Sequence, residues 1–146
     1  MTPRTLRTVD GTEMRSETLP REAASAGNAR RIVRQAAEDW KLDDLAEAAE
    51  LVVTELVANA AQHARCASVR VTVQRTAVDG FRVAVTDRSH RPPVCRKPGP
   101  GALGGRGLVI VAEVAARWGH DALPWGKRVW ADLAQPTDLP CGAGDG

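Results

Sequence analysis

The segment Glu50–Ala64 constrains this 146-residue chain most, because its residue spacing is that of one amphipathic helix. Its apolar residues recur three or four positions apart, so that one face is expected to pack against a core. Glu55, Asn59 and His63 follow one another at intervals of four and line a neighbouring face. Asn is a weak helix former because its amide competes for backbone hydrogen bonds. Asn59, one turn after a carboxylate, therefore suggests a chemical role, and a solvated polar stripe is the alternative.

Length and composition predict one domain with an aliphatic core. A chain of this size buries about two thirds of its unfolded surface. It has four Trp, one Phe and no Tyr, so Val, Leu, Ile and Ala must fill the core. The net charge of +2 is too small to favour a general nucleic-acid binder. Aromatic residues interleaved with basic ones, on which single-stranded nucleic acid stacks, are missing. We therefore expect no direct contact with nucleic acid.

Cysteine usage and hydropathy favour a cytoplasmic protein. Cys66, Cys95 and Cys141 are widely spaced and form no CxxC pair, so they predict neither a zinc site nor a disulfide framework. The segment Met1–Glu17 lacks the apolar stretch of a signal peptide, and nowhere do 18 apolar residues follow one another. We expect a soluble protein with no membrane contact.

The order of predicted elements indicates an α/β fold. Residues 1–11 are expected to be a flexible N-terminus, 12–134 a single domain and 135–146 a flexible tail rich in Gly and Pro. Alternating Val residues and the Asp79-Gly80 turn predict a central hairpin. The remaining predictions are a strand over 12–19, helices over 23–40 and 108–118, the second stopped by Gly119, and a strand over 128–133. This order predicts a two-layer sandwich: a mixed, mainly antiparallel sheet with helices on one face.

The segment between the hairpin and the third helix is rich in Pro and Gly, and a loop of this length is usually functional or disordered. Within it, residues 99–104 match GxGxxG, but the glycines do not directly follow a strand, so a dinucleotide site is disfavoured. Gly104–Leu108 is a glycine cluster at the start of a helix. Free backbone N–H groups and the helix dipole make such a start an anion site. A flexible glycine-rich helix entry is the alternative.

Asp87 ends the second hairpin strand, just before Arg88 and Ser89. A carboxylate at this place can accept a hydrogen bond from the exocyclic amine of a base, which would select adenine over guanine. Alternatively, Asp87 only caps a turn with Ser89.

Taken in order, these segments resemble the motifs of the Bergerat (GHKL) ATP-binding fold, and most closely those of the anti-sigma-factor serine/threonine kinases. The resemblance extends over about residues 20–134. Residues 50–60 are similar to the N-box, 85–89 to the adenine segment, 104–108 to the second glycine box and 126–130 to the closing strand.

The resemblance implies ATP and Mg²⁺ as cofactors and gives roles to the residues around them. Asn59 would supply the metal ligand, and Glu55 would orient or deprotonate the attacking hydroxyl. His63 is interpreted as structural. Asp87 and Ser89 would lie at the adenine base.

The phosphates would lie against the second glycine box, and residues 91–103 would be a lid over the nucleotide. Arg106 would neutralise charge during phosphate transfer. The residues implied at the phosphates are Gly104, Gly105, Arg106, Gly107 and Leu108.

Two departures from the family pattern affect the adenine site. Ser89 and Arg91 replace glycines of the first glycine box, where the backbone passes close to the base. Arg128 occupies the position at which the closing strand often has a Thr.

By resemblance, the expected function is that of a regulatory serine/threonine kinase. It would transfer the γ-phosphate of Mg·ATP to a Ser or Thr of an anti-anti-sigma partner with a STAS domain, and it would bind a sigma factor. Relatives also suggest a homodimer. The alternative is a non-catalytic module whose nucleotide state sets its affinity for a partner.

Overall fold

The computed structural model describes residues 4–7, 13–20, 22, 24–63, 68–77, 79–87 and 104–134. The predicted tail at 135–146 and the predicted lid at 91–103 lie outside these ranges. Three helices follow in the order α1 (Ser25–Asp39), α2 (Ala46–His63) and α3 (Gly104–Val114), with a 3₁₀ turn at Asp43–Leu45 before α2. The strands are β1 (Arg4–Arg7), β2 (Glu13–Pro20), β3 (Ser68–Ala77), β4 (Gly80–Asp87), β5 (Arg117–Leu123) and β6 (Gly126–Ala134).

The strands form one six-stranded sheet in the order β1-β2-β3-β4-β6-β5. Every described pairing is antiparallel, where the sequence predicted a mixed, mainly antiparallel sheet. α2 packs on β4 and β6, and α1 packs on β2 and β3. The predicted two-layer α/β sandwich is confirmed.

The two layers meet in one aliphatic core. Alternate residues of the central strands face the helices because successive side chains of a strand point to opposite faces. Val71, Val73 and Val83 are fully buried in this way, together with Val52 and Val53 of α2. The aromatic exceptions are two rings at one end of the core. Trp40 and Phe81 make an edge-to-face contact with ring centroids 5.9 Å apart.

The predicted helix over 108–118 is wrong at both ends. α3 begins at Gly104 and ends at Val114, and Gly119, predicted to stop the helix, lies inside β5. β5 is an edge strand whose residues are exposed or half-buried. Without a buried face it has no alternating apolar pattern, so its sequence did not show a strand.

The prediction of a flexible N-terminus is wrong for Arg4–Arg7. This segment is β1, which pairs with β2 from Arg4 opposite Ser16 to Arg7 opposite Glu13. Backbone hydrogen bonding to an existing strand requires no apolar pattern, so composition alone did not predict it.

On the sheet face away from the helices, a charged cluster joins β4, β5 and β6. Arg82 Nε and Nη2 donate to Asp132 at 2.6 and 3.0 Å, and Arg117 Nη2 donates to Asp132 at 3.0 Å. Both guanidinium groups lie over the Trp130 ring, at 4.1 and 5.7 Å from its centroid. Burial opposes ionisation of Asp132, but the two arginine hydrogen bonds outweigh it and hold its pKa below the usual value.

Gly119→Ala is expected to destabilise the protein by about 1–3 kcal/mol. A Cβ at Gly119 would lie 2.8 Å from Cζ2 of Trp130, whose ring also contacts the guanidinium groups of two arginines. Gly27→Ala in α1 is the matched control. Its Cβ would meet only Arg30 Nη2 at 3.7 Å, so helix propensity should stabilise this variant by about 0.5–1 kcal/mol. Urea unfolding measures both. Equal stability of Gly119→Ala and the parent chain would contradict the packing described.

Among the described residues, no helix combines the length and apolar character needed to cross a bilayer.

Candidate functional site

The side-chain amide of Asn59 on α2 is buried and has no hydrogen-bond partner among the described residues. The residue is 5% exposed, and neither its Oδ1 nor its Nδ2 has a hydrogen-bond partner within the described ranges. Leaving a buried polar group unpaired costs about 1–3 kcal/mol. Glu55 lies one turn earlier on the same face and is half-buried. The pair predicted from the sequence therefore lies where a ligand on α2 could satisfy the amide and reach the carboxylate.

Contacts from α1 fix the position of α2. Arg30 Nη1 donates to Thr54 Oγ1 at 3.2 Å, and Thr54 Oγ1 donates to the carbonyl of Glu50 at 2.7 Å. Arg34 forms an ion pair with Glu50 one turn further along. These contacts lie beside Glu55 in sequence. They hold the helix in place, which a preorganised site requires.

Chain topology places Asn59 and Asp87 at the same end of the sheet. α2 ends at His63, and β3 begins five positions later at Ser68. Arg70 of β3 pairs with Thr86 of β4, so the start of β3 lies beside the end of β4. Asn59 therefore lies near the C-terminal end of α2, which leads into β3 at this end of the sheet. Asp87 is the last residue of β4, the strand beside β3.

The end of α3 is fixed by a contact with β6, and we expect its first turn at the same end of the sheet as Asp87. Ala116, just after α3, donates its N–H to the carbonyl of Asp132 at 2.8 Å, at the opposite end of β6 from Lys127. A helix of 11 residues spans about 16 Å, close to the distance between those two strand positions. Since α3 also packs on α2, we expect its N-terminal backbone to lie toward the Asp87 end. The side chains of residues 104–108 lie outside the description.

Asp87 lines a cavity of about 770 Å³ at this end of the sheet, together with Ser68 and Val69 and with Thr18, Arg70 and Thr86, whose strand positions face away from the helices. Trp125 from the turn between β5 and β6 also borders it and is 54% exposed. The volume is in the range of small-molecule sites. Asn59 is not among the described lining residues, so the cavity comprises only the Asp87 side of the candidate site.

Lys127 is a candidate residue that sequence reasoning missed. It is 3% exposed and stands directly opposite Asp87, which is 2% exposed, in the pairing of β4 with β6. Arg128, the residue that the family resemblance implied at the adenine site, does not stand opposite Asp87. Arg128 pairs with Thr86, on the alternate face of the strand. Strand parity with the buried Val129 would have indicated residue 127.

Several predicted site residues lie outside the description. Ser89 and residues 91–103 are outside the described ranges, as is Arg88; the GxGxxG match lies outside them except for Gly104. For His63 and for Gly104, Gly105, Arg106, Gly107 and Leu108, the structure places the backbone in α2 or α3 and nothing further.

The described residues suit a Mg²⁺ ion that takes most of its ligands from the phosphates of a nucleotide and few from the protein. No group of three or more His, Cys, Asp or Glu residues that could hold a metal occurs in the described part of the chain. Mg²⁺ prefers oxygen ligands and typically takes only one or two from protein at nucleotide sites. The buried Asn59 Oδ1, without a described partner, is such an oxygen.

Residues 19–131 match the family described as histidine kinase-like ATPase domain. Among solved structures, the chain is similar to the histidine kinase domain of the blue-light-activated histidine kinase from Erythrobacter litoralis EL346, with 22% identity and a TM-score of 0.46. That alignment covers 80% of this chain and 61% of the histidine kinase chain. A search of curated proteins found no match. Because the family match spans all three helices, strands β3 to β5 and most of β6, the chain belongs to the histidine kinase-like ATPase family, which is an ATP-binding domain of the GHKL type.

Proposed function

We propose that this ATP-binding domain is a magnesium-dependent serine/threonine protein kinase of the anti-sigma-factor type. Its substrate would be a Ser or Thr hydroxyl of an anti-anti-sigma protein with a STAS domain, and it would also bind a sigma factor. The observation that supports this most is the pair of Glu55 and Asn59 on adjacent turns of α2, with the Asn59 amide buried and unbonded by any described residue.

In this proposal, Asn59 Oδ1 is the protein ligand of the metal. Bound Mg·ATP supplies an electrophilic γ-phosphate, and catalysis then rests on positioning and on stabilising its charge. The backbone N–H groups at Gly105 and Gly107 bind phosphate oxygens because a helix N-terminus attracts anions. Arg106 adds a positive charge beside them.

Glu55 is the proposed general base. A carboxylate beside the γ-phosphate accepts the proton of the attacking hydroxyl as the new P–O bond forms and the bond from the γ-phosphorus to the bridging oxygen breaks, with ADP as the leaving group. Its half-buried position leaves it accessible to a partner protein's side chain. Asp87, with Ser89, is the proposed contact of the adenine amino group.

A non-catalytic, nucleotide-dependent binding module is the second candidate. Ser89 and Arg91 favour it, because each puts a side chain where glycines of the first glycine box let the backbone approach the base. Such a domain would bind ATP and change its affinity for a partner without phosphorylating it.

Transfer of label from Mg·[γ-³²P]ATP to purified STAS-domain proteins separates the two candidates. The kinase proposal expects acid-stable label on a Ser or Thr of one partner, and none when Mg²⁺ is removed by EDTA. Bound ATP with no label on any partner, while partner affinity changes with nucleotide, would support the binding module instead.

The proposal includes a cytoplasmic location and a homodimer. β1 lies at one edge of the sheet, which leaves one side of its backbone without a described strand neighbour. Sedimentation equilibrium that shows only the 15.6 kDa species would contradict a dimer. Recovery of the protein with the membrane fraction of cells would contradict the location.

A further inference from the structure

Two buried residues with ionisable side chains lie on the helix-facing side of the sheet, at the rung where Asp87 pairs with Lys127. The two residues are directly opposite on antiparallel strands, so their Cβ atoms are expected about 4.5–5.5 Å apart. They are 2% and 3% exposed, and each has an interaction partner. Lys is almost never fully buried unless it is paired.

Fold stability does not explain why this rung is charged. The other helix-facing residues of the two strands are apolar: Phe81, Val83 and Val85 on β4, and Val129, Ala131 and Leu133 on β6. Replacing a buried ion pair by apolar residues is often neutral or stabilising, because both charges must be stripped of water. The charged rung is also the one at the end of β4, where Asp87 borders the 770 Å³ cavity.

We propose that Lys127 is a positioning residue for base recognition, which holds the carboxylate of Asp87 charged and oriented as a hydrogen-bond acceptor. This inference rests on the proposed contact between Asp87 and adenine. Lys127 is not among the described residues that line the cavity, so it acts through Asp87 rather than on the base. A charged carboxylate only accepts hydrogen bonds, and it therefore requires a donor on the ligand.

That requirement discriminates between purines. Adenine presents an amino group at position 6, which donates to the carboxylate. A 6-oxo purine presents a carbonyl oxygen there, and two acceptors repel each other. A site built to accept from an N–H group rejects an analogue that lacks it because the buried acceptor is left unpaired. The ratio of the affinities for ATP and inosine triphosphate (ITP) therefore reports whether the Asp87 carboxylate acts as a hydrogen-bond acceptor.

The test is a double-mutant cycle on the full chain, with dissociation constants for Mg·ATP and Mg·ITP measured by calorimetry. The parent chain should prefer ATP, and D87N and K127M should each lower that preference about tenfold or more. Because Lys127 acts through Asp87, K127M should change the preference by less than about twofold in the D87N background. The control K41M, at an exposed lysine just after α1, should keep the preference within about twofold.

Two outcomes would overturn the role of Lys127. One is an equal loss of ATP and ITP affinity in K127M, which indicates a structural residue. The other is an additive effect of K127M in the D87N background. If K127M fails to fold, K127R replaces it: retained preference in K127R supports the inference, and lost preference in a folded K127R overturns it. A preference unchanged by D87N would instead contradict the adenine contact of the proposed function.

Discussion

Glu55→Gln is expected to lower the rate of phosphate transfer to a STAS-domain partner by about 100- to 10,000-fold, the range of one general base. Gln has nearly the same shape but accepts no proton from the attacking hydroxyl. The carboxylate is half-buried and one turn from Asn59, and it has no assigned contact with the nucleotide. ATP affinity should therefore stay within about threefold of the parent chain.

Single-turnover transfer of ³²P from saturating Mg·ATP measures the chemical step without product release. Glu47→Gln is the matched control, since Glu47 lies in the first turn of the same helix and is exposed. It should transfer phosphate at the parent rate. If Glu55→Gln transfers phosphate at the parent rate, Glu55 is not the general base. The other site assignments would then have to be tested separately.

Asn59→Leu is expected to stabilise the nucleotide-free protein and to abolish its magnesium-dependent affinity for ATP. The buried amide has no described hydrogen-bond partner, so an apolar side chain of similar size should remove a cost of about 1–3 kcal/mol. For a chain of this length the melting temperature should rise by about 2–10 °C. The same change removes the proposed metal ligand, and ATP affinity should fall about 10- to 100-fold.

Thermal unfolding without nucleotide and calorimetric titration with Mg·ATP are the two measurements. Asn28→Leu is the control, because Asn28 lies exposed on α1 and should leave stability and affinity nearly unchanged. A lower melting temperature for Asn59→Leu would mean that the amide stabilises the fold. ATP affinity equal to that of the parent chain would remove the residue from the site.

Sequence periodicity predicted the parts of the fold whose burial follows a regular pattern. α2 and the β3–β4 hairpin each have one buried face, and their side chains repeat with the period of their element. β5 and β1 are edge strands that rely on backbone pairing, so no apolar period marked them.

The sequence likewise predicted only those residues of the candidate site that lie in elements with a recognisable pattern. Glu55, Asn59 and Asp87 carry functional groups within recognisable elements, and sequence order could align them with a family pattern. Lys127 could not be found this way, because its importance depends on the register between β4 and β6. In the sequence, Lys127 and Arg128 are simply two adjacent basic residues. Only the register between β4 and β6 shows that Lys127 is the buried one and stands opposite Asp87.

A crystal structure with Mg²⁺ and a non-hydrolysable ATP analogue tests the central arrangement most directly. We expect a metal about 2.0–2.1 Å from Asn59 Oδ1. We also expect phosphate oxygens against the N–H groups of residues 105–107 and the adenine amino group on Asp87. Nucleotide bound elsewhere, or an Asn59 amide bonded to protein groups with the metal held by other residues, would contradict it.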